Sequence, residues 1–342
     1  MTSTVRNLAG LGDVIAAARG HGGIDAPAVS FDTHKRSVLV TGATGFVGQH
    51  LVQALLQDGH TVFALSREPE AAARLFEGKV SCVGSMDALP PQTRIDIVVN
   101  LAGARILGAR WSQARKEALR RSRIGLTRHL VDWIARAEHT PFLLLNASAI
   151  GYYGIQRIGD DTALDESSSP QPVFMSDLCR EWEEAAARAA QYGVQVECMR
   201  FGLVVGRGGA LPMMLLPILL GLGGRLGSGR QWLSWIHVAD VVGGIAHRWR
   251  HALADPRPGT VGASNFTAPE CVTQAQFSQA AARIWRRPSF MPTPGWPLRL
   301  MLGEQSDLLL EGQRVLPRRL QREGFAFRYP GIAQALASLK GA

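Results

Sequence analysis

The stretch VLVTGATGFVGQHLVQALLQDG, residues 38 to 59, constrains the fold more than any other part of the chain. A short branched apolar run ends at Gly42, and apolar residues then recur at three- and four-residue spacing up to Gly59. That pattern predicts a strand, a tight turn and a helix. Gly42, Gly45 and Gly48 stand three apart in the turn. In such a setting the first glycine permits the turn, the second lets a pyrophosphate approach the backbone, and the third lets the helix pack on the strand. Thr44, Phe46 and Val47 complete the loop, and free N–H groups at the helix start face the same anion.

The same alternation continues. TVFALSR, KVSCVG, IDIVVNLAG, PFLLLNAS and VQVECMRFG read as strands, separated by helical patterns over EPEAAARLFEG, from about Trp111 to Ala137, and over DLCREWEEAAARAAQYG. Strands alternating with helices imply right-handed crossovers, hence an α/β fold with a Rossmann-type, doubly wound parallel sheet. Beyond Gly202 glycine and proline become frequent, as in a smaller substrate lobe closing over a nucleotide domain. The expected organisation is a loosely ordered extension over 1–36 with one short helix at DVIAAARG, a nucleotide-binding domain over 37–290 with lobe segments after 202, and a small C-terminal domain over 291–342.

The tip of the second strand selects the nucleotide. A site for NAD places an acidic side chain there to hold the ribose 2′-hydroxyl, whereas ALSREPE offers Ser66 and Arg67. A hydroxyl and a guanidinium suit a 2′-phosphate, so the expected cofactor is NADP(H). An ordinary surface role for Arg67 is the alternative.

A formal net charge of +9 points to an anionic partner, either a phosphorylated small molecule or nucleic acid. The densest basic group is KEALRRSRIGLTR, where Lys116, Arg120 and Arg123 share one helical face. No aromatic platform accompanies it, so it reads as a solvated face rather than a nucleic-acid stripe. Cys82, Cys179, Cys198 and Cys271 lack C-x-x-C spacing, which argues against a zinc site or a disulfide framework and fits the reducing cytoplasm. The N-terminus carries no continuous apolar signal core. ALPMMLLPILLGLGG is too short for a membrane span and is broken by Pro212 and Pro217, so no metal and no membrane segment are expected. The expected partner is a small-molecule substrate, and a homodimer stays open.

TGATGFVG, NLAG at 100–103, the serine of NASAIGYYG and WIHVADVVGGI at 235–245 together resemble the extended short-chain dehydrogenase/reductase superfamily. The likeness is closest to its atypical epimerase-family branch, family 39U. That branch shows an SAxGYYG segment, a GLGGxxGxGRQxxxWIHxxD segment and a characteristic tail, matched here by GLGGRLGSGRQWLSWIHVAD at 221–240 and EGQRVLPRRLQREGFAFRYP at 311–330. The resemblance spans about residues 37 to 340. It implies an NADP(H)-binding oxidoreductase or epimerase with Leu101, Ala102, Gly103 and Ser148 on the nicotinamide side, and Phe201, Gly202 and Leu203 after the sixth strand.

The superfamily's proton chemistry is expected on a Tyr-x-x-x-Lys pair, whose lysine lowers the tyrosine pKa. Counting forward from Ser148 lands on Val173 and Asp177, so neither group is present. Such catalysis is commonly worth ~10²–10⁴-fold in rate. Ser148, which would orient the substrate oxygen, with Tyr153 and Tyr152 as substitute acids, form the catalytic candidates; packing at a strand end is the alternative for both tyrosines. His237 and Asp240 read as a helix cap rather than a metal pair. Asp160, Asp161, Asp165 and Glu166 read as a solvated acidic loop that could cover the pocket. Glu304, Gln313 and Arg314 face either the substrate cleft or the docked C-terminal segment. The rival to an enzyme is a catalytically silent NADP(H)-binding redox sensor or regulator.

Overall fold

The computed structural model describes residues 29–108 and 110–340. The first part of the chain runs β1 (Ser37–Thr41), α1 (Phe46–Gln57), β2 (Thr61–Leu65), α2 (Pro69–Leu75), β3 (Ser81–Val83), β4 (Ile97–Asn100), α3 (Gln113–Arg120), α4 (Leu126–Arg136), β5 (Leu143–Ala149), α5 (Phe174–Ala187) and β6 (Gln195–Phe201). It continues through β7 (Leu203–Val205), α6 (Leu211–Leu219), β8 (Trp232–Leu233), β9 (Trp235–His237), α7 (Val238–Ala254), β10 (Val261–Phe266), β11 (Val272–Thr273) and α8 (Gln274–Trp285). Four short helices close the chain: α9 (Trp296–Leu302), α10 (Asp307–Leu310), α11 (Arg318–Arg322) and α12 (Ile332–Leu339).

Seven strands form one sheet in the order β10-β6-β5-β4-β1-β2-β3, and every pairing in it is parallel. The first strand lies inside the sheet because helices cover both faces, which is why its apolar residues need not alternate with polar ones. Val38 and Val40 enter a core shared with α1 and α7, while Leu39 enters the opposite core under α4. The order turns back on itself between β1 and β4, so the carboxyl ends of both open onto one crevice. Among the described residues no helix is long and apolar enough to cross a membrane.

Two local expectations change. The helical run expected from Trp111 to Ala137 is broken by a π-helical turn at Arg121–Gly125 between α3 and α4. Residues 29–36, placed with the extension by sequence, are held instead. Phe31 is fully buried, with its ring centroid 5.3 Å from that of Trp249 and 5.9 Å from that of His60, and its backbone N–H donates to Asp58 at 2.7 Å. That socket is assembled from residues far along the chain, so local periodicity does not reveal it. The short helix expected at DVIAAARG lies outside the described residues.

A separate apolar cluster builds the second lobe from β9, α6 and α8, with Trp235, Leu215, Ile218 and Phe277 inside. Ile332, Ala335 and Leu336 of α12 join that same cluster, so the last helix shares its core.

Candidate active site

Gly42 has φ +66°, the left-handed region that favours glycine, and a Cβ there would stand 2.8 Å from the Leu101 carbonyl carbon. A Cβ on Gly48 would come within 2.2 Å of the Gly42 carbonyl oxygen, so the turn itself requires this residue. Gly45 differs: its backbone is extended, and a Cβ would meet only the Gly42 oxygen, at 3.1 Å. The space beside Gly45 is therefore open. Helix α1 has no side-chain cap and no acidic residue in its first turn, leaving its N–H groups and dipole directed at that space. Phe46 turns away and packs on the loop after β7, where a Cβ on Gly206 would stand 2.5 Å from its ring.

Thr41 of β1 pairs with Leu65 of β2, so Ser66 and Arg67 emerge next to the glycine loop. Arg67 is exposed. The Ser66 hydroxyl lies 3.3 Å from both the Glu68 N–H and the Glu68 carbonyl oxygen, which holds the tip of β2 in a tight turn.

Buried polar residues tie the tips of β1, β4 and β5 together. The Thr41 hydroxyl donates to Asn100 Oδ1 at 2.5 Å, and Asn100 Nδ2 donates to Asn146 Oδ1 at 2.6 Å and to the Thr127 hydroxyl at 2.9 Å. The Ala102 N–H in turn donates to Thr41 at 3.2 Å, fixing the Leu101–Gly103 strip. Satisfied networks of this kind rigidify the elements they join.

The strip borders a cavity of about 200 Å³ that Val47, Ser148 and Phe201 also line. Ser148, near the end of β5, donates its hydroxyl proton to Glu183 Oε1 on α5 at 2.7 Å. Glu183 is held by Arg200 through two bonds of 2.8 Å, from Nε and from Nη2, in a bidentate pair. Arg200 stands opposite Ser148 in the β5–β6 register, and its Nη1 donates to the Tyr153 hydroxyl at 3.1 Å. Tyr153 donates to Asn265 Oδ1 at 2.7 Å. The Arg200 guanidinium carbon sits 3.4 Å from the centroid of the Tyr152 ring. One chain of contacts thus runs from the cavity to β10. Burial pushes the Tyr153 hydroxyl up to about 12 despite the opposing Arg200 charge.

Val173 and Asp177, which the sequence count places at the superfamily's tyrosine and lysine positions, both stand at the start of α5. Val173 is the residue before the first turn of α5, and Asp177 pairs outward with Arg180 at 3.0 Å. The cavity-lining residues at i, i+4 spacing on α5 are Met175 and Cys179. The helix begins earlier than its sequence pattern indicates. Burial also pushes the Cys179 thiol up to about 12, so neither residue supplies a proton near neutral pH.

Arg123 also lines the cavity. The face it shares with Lys116 and Arg120 is not the solvated stripe expected from sequence. Lys116 pairs with Glu304 at 2.5 Å, Arg120 pairs with Glu181 at 2.9 Å, and the π turn carries Arg123 inward.

A family model described as the NAD dependent epimerase/dehydratase family matches residues 38–262, most of the chain. The chain belongs to that family. A second model, a domain of unknown function, matches residues 293–339. The epimerase family protein YfhF of Bacillus subtilis is 37% identical over 305 residues, covering 89% of this chain and 97% of that protein. The chloroplastic SDR39U1 homolog of Arabidopsis thaliana, another epimerase family protein, is 39% identical over 89% of this chain and 86% of its own. Human epimerase family protein SDR39U1, isoform 2, solved with NADPH, superposes with a TM-score of 0.76 at 33% identity, over 89% of this chain and 98% of that one.

In this epimerase-family chain the acidic loop is exposed at Asp160 and Asp161, as expected, and also clamps the C-terminal segment. The Leu164 N–H donates to the Arg314 carbonyl at 2.8 Å and the Leu316 N–H to the Leu164 carbonyl at 2.9 Å, while Glu166 accepts from the Asn265 and Arg319 N–H groups at 3.0 and 3.2 Å. Asp161 accepts from the Trp232 indole at 3.0 Å. Asp160 and Asp165 accept from their own loop, at the Thr162 and Ser167 N–H groups. Gln313 donates to the Gly154 carbonyl and Arg314 Nη1 to the Asp161 carbonyl, so these tail residues dock the C-terminal segment, as does Glu304 through Lys116. His237 Nδ1 accepts from the Ala239 N–H at 3.1 Å as the cap of α7, and Asp240 accepts from the Arg328 and Tyr329 N–H groups at 2.7 and 3.0 Å.

Sequence reading missed Glu183, Arg200, Asn265 and the inward turn of Arg123. A signal existed for one of them: VQVECMRF reads as a fully buried strand, and a charge in such a run needs a partner.

Proposed function

We propose that this chain is an atypical NADP(H)-dependent oxidoreductase or epimerase-like enzyme acting on a small carbonyl or hydroxyl substrate in the cavity beside Ser148. One juxtaposition carries the reading: an uncapped, glycine-lined helix start lies beside a second strand that ends in Ser66 and Arg67 instead of a carboxylate. The opening at Gly45 suits a pyrophosphate, and the Ser66–Arg67 tip suits a 2′-phosphate. NADPH in the human relative, at 33% identity, supports the same choice.

NADP(H), when bound, supplies the hydride donor or acceptor. Leu101, Ala102, Gly103, Phe201, Gly202 and Leu203 are assigned to the nicotinamide side, with Leu101, Gly103 and Phe201 bordering the cavity. Ser148 orients the substrate oxygen. Its proton is committed to Glu183, so its remaining lone pairs accept a hydrogen bond from a substrate hydroxyl. Against a substitute-acid role for Tyr152 and Tyr153 stands their engagement with Arg200, with the Tyr153 hydroxyl enclosed between Arg200 and Asn265. Both are assigned to holding Arg200, and through it Glu183 and Ser148.

Calorimetric titration of the purified chain with NADPH and NADH tests the cofactor. We expect NADPH to bind at least about tenfold more tightly. No heat with either, or a preference for NADH, overturns the reading. The rival, a silent NADP(H)-binding sensor, is favoured by Met175 and Cys179 on the inward face of α5, which offer no acid. Substrate-dependent NADP⁺ reduction across primary and secondary alcohols, lost in Ser148→Ala, supports the enzyme; none in the unmodified chain supports the sensor.

A further inference from the structure

The guanidinium of Arg123 is the one charged group on the cavity wall among the described residues, and it is nine-tenths buried there. It donates to the Ala104 carbonyl at 2.9 Å and makes a long contact of 3.4 Å with the Ser122 hydroxyl. No carboxylate lies within ion-pair distance among the described residues, in contrast to Arg120 and Arg200, which both have one. Its carbon sits 5.3 Å from the centroid of the Trp182 ring. The wall opposite accommodates it: a Cβ on Gly103 would stand 3.0 Å from Arg123 Cζ.

A buried cation without a counter-charge costs folding free energy, and chains keep one where a ligand's charge completes it. Burial already draws the Arg123 pKa down to about 10, with Arg115 adding like charge. The π turn that carries it is an energetically uncommon piece of backbone, found often at functional sites. We propose that Arg123 is the anion receptor of this cavity and that the substrate is a small carboxylate with an apolar body, its carboxylate paired with the guanidinium.

The proposal rests on the oxidoreductase reading and narrows its substrate. Arginine binds a carboxylate through two parallel N–H bonds, which fits one planar anionic head. A nucleoside diphosphate would bring more charge than one guanidinium answers. The rest of the wall is apolar, with Ile106, Met175, Leu178 and Trp182 forming a surface for a hydrocarbon body.

The test uses the full chain loaded with NADP⁺, titrated by calorimetry with 2-oxohexanoate, with the uncharged 2-oxohexanamide and with UDP-glucose. NADPH is titrated separately into each protein. The acid should bind at least about tenfold more tightly than the amide. That preference should vanish in Arg123→Leu and survive in part in Arg123→Lys, while NADPH affinity stays within about twofold throughout. Equal binding of acid and amide, no heat with the acid, or Arg123-dependent binding of UDP-glucose in preference to the acid overturns the proposal. The acid–amide comparison on the unmodified chain decides the matter even if Arg123→Leu fails to fold. An unmodified chain that binds the acid over the amide but not NADPH overturns the cofactor reading and leaves the receptor standing.

Discussion

The Ser148 hydroxyl donates to Glu183 at 2.7 Å, and the carboxylate that receives it is gripped on its far side by Arg200. The cavity serine is thus oriented by a buried ion pair rather than by a neighbouring tyrosine and lysine. The Arg200 and Glu183 side chains are 6% and 13% exposed, so removing one partner strands the other in a medium that solvates it poorly.

Glu183→Gln should therefore cost about 3 kcal/mol of stability, measured by urea unfolding. Ser148→Ala, which removes a donor and leaves the ion pair intact, should cost about 1 kcal/mol. Equal losses in the two variants would contradict the assigned hierarchy.

Gly45→Ala and Gly48→Ala should separate ligand space from fold space. A Cβ at 48 would lie 2.2 Å from the Gly42 oxygen, so that variant should unfold at markedly lower urea. The Cβ at 45 meets one protein atom at 3.1 Å, so stability should stay within about 1 kcal/mol. NADPH affinity in Gly45→Ala should nonetheless fall at least about tenfold, since the methyl group occupies the approach to the backbone.

Arg67→Ala should weaken NADPH binding about tenfold or more and leave NADH binding within about twofold, because the guanidinium is assigned to the 2′-phosphate alone. Parallel losses for both dinucleotides would assign Arg67 elsewhere.

Tyr153 predicts an alkaline signature. Burial raises its folded-state pKa to about 12 from an ordinary 10.0, so the native state keeps a proton that the unfolded chain releases. The stabilisation is full below pH 10 and is lost as pH rises from there through 12. Tyr153→Phe should flatten the fall in unfolding free energy over that window.

His237 predicts the acid counterpart. Burial, with Arg328 nearby, draws its pKa down to about 4 from 6.5, so the native state holds the imidazole neutral where the unfolded chain takes up a proton. This contribution is present above pH 6.5 and is lost as pH falls through 4. His237→Asn keeps a capping side chain and removes the titration, so its stability should vary less with pH in urea unfolding between pH 7 and 4.

Local pattern alone was enough for the order of strands and helices in the sheet, the glycine turn and the Ser66–Arg67 tip. Each of these rests on residues close in sequence, where side-chain periodicity and backbone sterics act directly. Tertiary packing decided the rest. Glu183 meets Ser148 across 35 residues, Tyr153 meets Asn265 across 112, and Phe31 finds Trp249 on α7 in the core they share with β1. The direction of Arg123 followed a π turn that adds one residue to the helix. Long-range pairing energies and a one-residue change of helical phase leave no trace in local periodicity, which is why the frame was legible in the chain and the chemistry at its centre was not.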